Sequence, residues 1–91
     1  MSIAISIPTM LRRFVDGADE LFVEANDVNS ALLEAVRLHP KLESQLFGNN
    51  GKVRNFILVF VNSSNVKQLQ NEKTPLSLGD KISLIPAIAG G

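Results

Sequence analysis

The sequence predicts an α+β fold in which a mixed sheet wraps around one principal helix. Three observations carry this. An alternating run, Ser2 to Ile7, opens the chain. A helical stripe follows from Val28 to Leu38, and apolar strand patterns return at Phe56 to Val61 and Ile82 to Ile85. Strands on either side of one substantial helix must bury their apolar faces against it, which is the arrangement of an α+β roll.

In Ser2 to Ile7 the three Ile side chains fall on one face, and Ser2, Ala4 and Ser6 on the other. β-branched residues at this spacing suit a half-buried strand, and Pro8 closes it by removing a backbone donor. Thr9 to Gly17 reads as a connection with a turn at Asp16-Gly17. Leu21, Val23 and Ala25 alternate again, which places a second strand at about Glu20 to Glu24, antiparallel to the first. Asn26 or Asp27 can cap the helix that follows. Val28, Leu32, Ala35 and Val36 form its buried stripe, with Leu33 widening it. Pro40 restarts a short helical segment in which Leu42 and Leu46 are i,i+4 partners. Gly48-Asn49-Asn50-Gly51 is a surface loop.

The continuous apolar run Phe56 to Val61 predicts a strand shielded on both faces, or on one face and an edge. Asn62 to Asn65 ends it in side-chain turns. Val66 to Leu69 is a weak strand or turn, and Leu78-Gly79-Asp80 turns into the last strand. There Ile82 and Leu84 share one face and Ser83 and Ile85 the other. Pro86 is expected to end regular pairing and release a tail.

Ninety-one residues, 45% of them hydrophobic, suffice for one domain near the lower size limit for a core without staples. A single domain over residues 1–91, with a flexible tail at 86–91, is therefore expected. The absence of Cys removes disulfides, thiolate nucleophiles and thiolate metal sites. Nine basic and nine acidic side chains cancel, so there is no general basic footprint for nucleic acid or an anionic membrane. The longest apolar run is far shorter than the roughly 20 residues that span a bilayer. The first residues also lack the features of a secretory signal. The expected location is cytoplasmic.

No internal catalytic constellation emerges. His39 has neither an H-E-x-x-H pattern nor cysteine around it, and beside Pro40 it reads as a capping or surface residue. The carboxylates are scattered without a motif. Gly48, Gly51 and Lys52 lack the strand–loop–helix setting and following hydroxyl of a phosphate loop, so they read as a turn. Arg12, Arg13, Lys52 and Arg54 can meet at one rim of the sheet, either simply solvated or docking an acidic partner. No bound cofactor or metal is expected.

The last residues, Pro86-Ala87-Ile88-Ala89-Gly90-Gly91, read either as a frayed terminus or as the place where the chemistry lies. A backbone carboxylate is ionised at neutral pH and is a poor electrophile. Adenylyl transfer from ATP converts it to a mixed anhydride with AMP as leaving group. A sulfur nucleophile then yields a thiocarboxylate, and an amine yields an amide. Gly90 and Gly91, having no Cβ, can follow a narrow channel in conformations closed to other residues. Pro86, Ala87 and Ala89 keep the approach slim, and Ile88 offers an apolar anchor. Ordering such a tail costs roughly 1–2 kcal/mol per residue, so a partner must hold the folded surface as well.

Ser6-Ile7-Pro8-Thr9 with Leu11-Arg12, Gly51-Lys52, Arg54-Asn55-Phe56, Val61-Asn62 and Leu84 to Gly91 stand in order across nearly the whole chain. In these pieces the chain resembles the ubiquitin-like sulfur carrier family that includes MoaD and ThiS, most closely its CysO-like branch. The resemblance implies a β-grasp roll. It also implies activation of Gly91 by an E1-like adenylating enzyme of the MoeB/ThiF kind, which uses the ATP, and a thiocarboxylate on that residue. Such a chain is a protein cosubstrate, not an enzyme. MoaD-like proteins commonly carry a second proline where Ala87 stands, which leans toward the CysO-like pattern. The resemblance thereby implies sulfide delivery to a pyridoxal-phosphate-dependent cysteine synthase. The alternatives are a small subunit docked in the large subunit of molybdopterin synthase, a modifier joined to lysines through Gly91, and an interaction module with an inert tail.

Overall fold

A computed structural model of the chain describes residues 2–87. Five strands and two helices follow the order β1 (Ser2–Ser6), β2 (Glu20–Glu24), α1 (Val28–Leu38), α2 (Glu43–Leu46), β3 (Ile57–Val61), β4 (Ser64–Asn65) and β5 (Lys81–Pro86). The sheet order is β2-β1-β5-β3-β4. β1 and β5 run parallel, and the other neighbours are antiparallel. This is the α+β roll with a mixed sheet expected from the sequence, and its topology is that of a β-grasp.

Alternation explains the core. Ile3, Ile5, Leu21, Val23, Ile57, Val59, Val61, Ile82 and Leu84 all point inward and are buried, as is Ile7 just beyond β1. They meet Val28, Ala31, Leu32 and Ala35 of α1. The helix begins where expected because the Asp27 carboxylate accepts the Ser30 backbone N–H at 2.8 Å, pairing a first-turn donor that has no intrahelical acceptor. Leu33 departs from expectation: it is 52% exposed. Ala31 flanks the stripe on the other side, and its small side chain lets the helix approach the sheet closely.

The connection from Thr9 to Val15 is a 3-10 helix, where an irregular loop was expected. Leu11 donates its N–H to the Pro8 carbonyl at 2.9 Å, and Leu11 and Val15 are both buried, so the segment acts as an apolar plug. Asp16 and Gly17 follow with positive φ, as the turn requires. After α1, Pro40–Leu42 forms a 3-10 turn leading into α2, and Leu42 and Leu46 are fully buried.

One further expectation is corrected. The weak strand is β4, at Ser64–Asn65, and not at Val66 to Leu69, where a 3-10 turn lies. It pairs with β3 through Phe60↔Asn65 and Val61↔Ser64, leaving Asn62-Ser63 as a tight hairpin loop. Asn62 takes the left-handed conformation there, which its short polar side chain tolerates. β3 is shielded on one face and along its edges, where β5 and β4 pair with it, which is the second of the two settings expected. Leu58 and Phe60 are only half-buried, because no helix covers the outer face of the sheet.

Candidate functional site

Parallel pairing places the C-terminal ends of β1 and β5 at the same end of the sheet, and antiparallel pairing brings the start of β3 there too. The chain leaves the sheet at this end. Release at Pro86 was expected, yet Pro86 still pairs with Ile57 inside β5, and the Ala87 N–H donates to the Phe56 carbonyl at 2.7 Å. In an antiparallel ladder, hydrogen-bonded and non-hydrogen-bonded pairs alternate. If Ala87 is bonded to Phe56, the Pro86 nitrogen points away from β3. The pairing of β5 with β1 ends at Ser83, so no strand stands on that side to need a donor. Proline can therefore occupy the final strand position without breaking a ladder bond.

Pro86 and Ala87 are half-buried. The other residues assigned to the tail, Ile88, Ala89, Gly90 and Gly91, lie outside the described residues. The geometry in hand is that of the tail's root.

The root has basic neighbours. Arg54 donates from Nε to the Ser44 carbonyl at 2.9 Å, and its guanidinium carbon lies 6.0 Å from the centroid of the Phe56 ring. Phe56 is itself 42% exposed, so the residue that anchors Ala87 also carries the cation. Arg12 donates from Nε to the Ile7 carbonyl at 3.0 Å, just past the end of β1. Arg13 lies over Phe14 at 4.9 Å. Lys52 and Arg54 line a cleft of about 510 Å³ together with Val28, Leu32 and Ile57. The sheet topology thus sets the four cations named from the sequence around the end where β5 exits. The same end also carries Asp16, Asp19 and Glu20, and the ion pairs among the described residues are Glu34 with Arg37, Glu20 with Lys81, and Asp16 near His39.

An apolar strip adjoins the root on the outer face. Leu58 stands opposite Ile85, which is 42% exposed, and Phe60 lies two residues along β3. Phe22 sits farther away on β2, beyond Ala4 of β1, and is 65% exposed.

The remaining candidates resolve into structural roles. His39 donates its backbone N–H to Ala35 at the end of α1, and its Nδ1 stands 3.8 Å from an Asp16 carboxylate oxygen. No group of three or more potential metal ligands occurs among the described residues. Gly48 and Lys52 close the loop 48–52 through a 2.8 Å backbone bond, and Asn50 accepts the Lys52 N–H at 3.0 Å. That is a turn, not a phosphate cradle. Asp80 lies at the opposite end of the sheet, where the Ser77 N–H and then the Asn62 amide hold its carboxyl below the ordinary value of 3.8.

Residues 5–91 match the model of the ThiS family. The chain belongs to the ThiS family. It is a sulfur carrier of the ubiquitin-like group that also contains MoaD and CysO. The sulfur carrier protein CysO of Mycobacterium tuberculosis is 25% identical over 93 residues, with both chains covered in full. A chain in the crystal structure of the Amycolatopsis orientalis BexX/CysO complex superposes with a TM-score of 0.88 at 27% identity, covering 98% of this chain and 99% of that one. SAMP1 from Haloferax volcanii gives 0.86 at 26% identity, with both chains fully covered. The matched region of the ThiS family runs through Pro86, Ala87 and the final glycines.

The role of the Phe56 carbonyl was not read from the sequence. It depends on strand register, which places residues 56 and 87 opposite one another and leaves no mark on residue type. The outer apolar strip did have a signal, since β3 is apolar on both faces.

Proposed function

We propose that the Gly91 carboxylate is the reacting group of this carrier. It attacks the α-phosphorus of ATP bound to an E1-like adenylating enzyme of the MoeB/ThiF kind, giving an acyl adenylate and releasing pyrophosphate. Hydrosulfide then adds to the activated carbonyl, AMP leaves as the C–O bond breaks, and the S–H proton passes to solvent. Gly91 ends as a thiocarboxylate. The observation that carries this reading is the family match extending through the chain's last glycine.

The strand and tail divide the work. β5 fixes Pro86 in the sheet, and the bond from Ala87 to Phe56 fixes where the tail starts. Residues 88–91 span at most about 14 Å when fully extended. An enzyme that acts on Gly91 must therefore bring its active site close to this end of the sheet. Ile88 and Ala89 would dock in the channel, while Gly90 and Gly91 pass its narrowest part. ATP and the activating side chains belong to the partner. Residues 1–91 act as one domain, and the expected setting is the cytoplasm. No helix among the described residues is long and apolar enough to cross a membrane.

Cysteine biosynthesis is the favoured destination of the sulfur. Ala87 in place of a second proline and the similarity to CysO proteins support it. Mixing the thiocarboxylated chain with a pyridoxal-phosphate-dependent cysteine synthase from the same genome and an O-activated serine should consume the thiocarboxylate, its sulfur replacing the leaving group on the serine β-carbon; hydrolysis of the resulting carrier–cysteine acyl bond then frees cysteine and restores the carboxylate. Consumption by a molybdopterin synthase large subunit, with none by the cysteine synthase, would reassign the pathway. The similarity to SAMP1, a small archaeal modifier protein, supports a second use of the same activated terminus. A lysine amine would displace AMP and leave an isopeptide, detectable as a Gly-Gly remnant on target lysines after proteolysis.

A further inference from the structure

The loop from Gly48 to Lys52 closes on itself and carries the chain's single Asn-Gly step, Asn50-Gly51. Both residues are exposed. Chain neighbours aside, no heavy atom lies within 4 Å of where a Cβ on Gly51 would sit, so water reaches the peptide between them. Asn50 Oδ1 accepts the Lys52 N–H at 3.0 Å. The ring closed by that bond runs through the Gly51 nitrogen, which folds the side-chain amide back over the peptide that follows it. An electrophilic carbon is thereby kept beside a nucleophilic nitrogen. The Lys52 N–H also points at the oxygen on which negative charge would develop if that nitrogen attacked.

Two other asparagines show what is particular to this one. Asn65 makes the same local bond, its Oδ1 accepting the Lys67 N–H at 2.9 Å. The next nitrogen, however, belongs to Val66, a buried β-branched residue that crowds the approach. Asn62 is held at both ends of its amide, donating to Asp80 and accepting from Lys81, each at 3.1 Å. Asn50 has a glycine after it, and its Nδ2 donates to no group among the described residues. One restraint remains. The Gly51 N–H donates to the Gly48 carbonyl at 3.0 Å, and that bond must open before the nitrogen can react. In an exposed loop such openings cost little.

We propose that Asn50-Gly51 is a site of spontaneous self-modification in the folded chain. The Gly51 nitrogen gives its proton to water and bonds to Asn50 Cγ. The Cγ–Nδ2 bond breaks, and Nδ2 takes up a proton and leaves as ammonia. The succinimide that results adds one water. Cleavage of its bond from Gly51 N to Cγ yields aspartate, and cleavage of the bond from Gly51 N to the Asn50 backbone carbonyl carbon yields isoaspartate. No atom changes oxidation state. Either product puts a new carboxylate on a chain of zero formal charge. It lies in a depression shared with Lys52, Arg54 and Phe56, the residue that anchors Ala87. Isoaspartate also lengthens the main chain by one carbon, which spoils the 2.8 Å bond from the Gly48 N–H to the Lys52 carbonyl.

The test incubates the full folded chain in mildly alkaline buffer and follows it by intact mass and peptide mapping. The expected result is the mass gain of an NH2-to-OH exchange, placed on residue 50 by fragmentation, with aspartate and isoaspartate forms separating on chromatography. Asn62 and Asn65 should remain unchanged over the same interval. The rate should rise with pH, since the Gly51 nitrogen must lose a proton. Asn50→Gln keeps the amide but needs a larger ring to close, so this variant should fold as wild type and lose the gain at the loop. The chain unfolded in urea controls for the chemistry. Absence of conversion in the folded chain would overturn the proposal, and conversion in urea alone would show that the native loop protects the site. Conversion that begins at Asn62 or Asn65, or a gain that Asn50→Gln leaves unaltered, would overturn it equally.

Discussion

Leu32 and Leu33 are adjacent, chemically identical and oppositely placed. Leu32 is 1% exposed against the sheet, whereas Leu33 is 52% exposed. Leu32→Ala should therefore destabilise by about 2–5 kcal/mol through lost burial and a residual cavity. Leu33→Ala should stay within about 0.5 kcal/mol of wild type. Urea unfolding of the two variants checks this, and equal losses would refute the assigned helix face. Asp27→Ala should cost about 1 kcal/mol in the same assay by removing the α1 cap. Asp80 adds a pH dependence. Its folded pKa lies below the ordinary 3.8 because the Ser77 N–H and the Asn62 amide bind the ionised form. A lowered folded pKa means that this stabilisation is complete above the unfolded value and is lost as pH falls through the folded one. Between about pH 5 and about pH 2, wild type should lose more stability than Asp80→Asn. Parallel pH profiles would remove Asp80 from the account.

At the scale of elements, β1, β2, α1, α2 and β5 were legible because each carries a simple period and a chemical stop. Ile3, Ile5 and Ile7 alternate before Pro8, and Val28 to Ala35 follows the helical turn behind Asp27. The 3-10 helix at Thr9–Val15 was not legible, since Met10, Leu11, Phe14 and Val15 sit in a segment too short, and too near Pro8 and Gly17, to mark a helix against a loop. The β3–β4 hairpin was missed because its loop is Asn62-Ser63 and lacks the glycine that usually signals a two-residue turn. β3 left two settings open in the sequence, and the half-exposure of Leu58 and Phe60 selects the one with a single covered face. The tail's root was legible in residue type and not in register. Its test is Ala87→Pro, which deletes the N–H that Phe56 accepts. That variant should lose about 0.5–1.5 kcal/mol and leave the sheet intact. Slow amide exchange at Ala87 in wild type, alongside fast exchange at exposed loop amides, would support the bond. Exchange as fast at Ala87 as in those loops would contradict it.

For the whole molecule, the sheet fixes Pro86 and Ala87 at the end where β5 exits. No metal-ligand cluster occurs among the described residues, and the polar lining of the cleft, which includes Lys52, Arg54, Lys67 and Glu72, contains no nucleophile–base pair. Fold and family account for each other. The β-grasp positions Pro86 and Ala87 beside Phe56 and the apolar strip, and the match to the ThiS family runs through Gly90 and Gly91. The most direct test of this account is the intact mass of the full chain after incubation with ATP, a ThiF-like adenylating enzyme from the same genome and a sulfur donor. The account predicts that one oxygen is replaced by sulfur, that fragmentation places the change on Gly91, and that the chain lacking Gly91 does not acquire it. An unchanged mass, under conditions in which the same enzyme modifies another carrier, would contradict it.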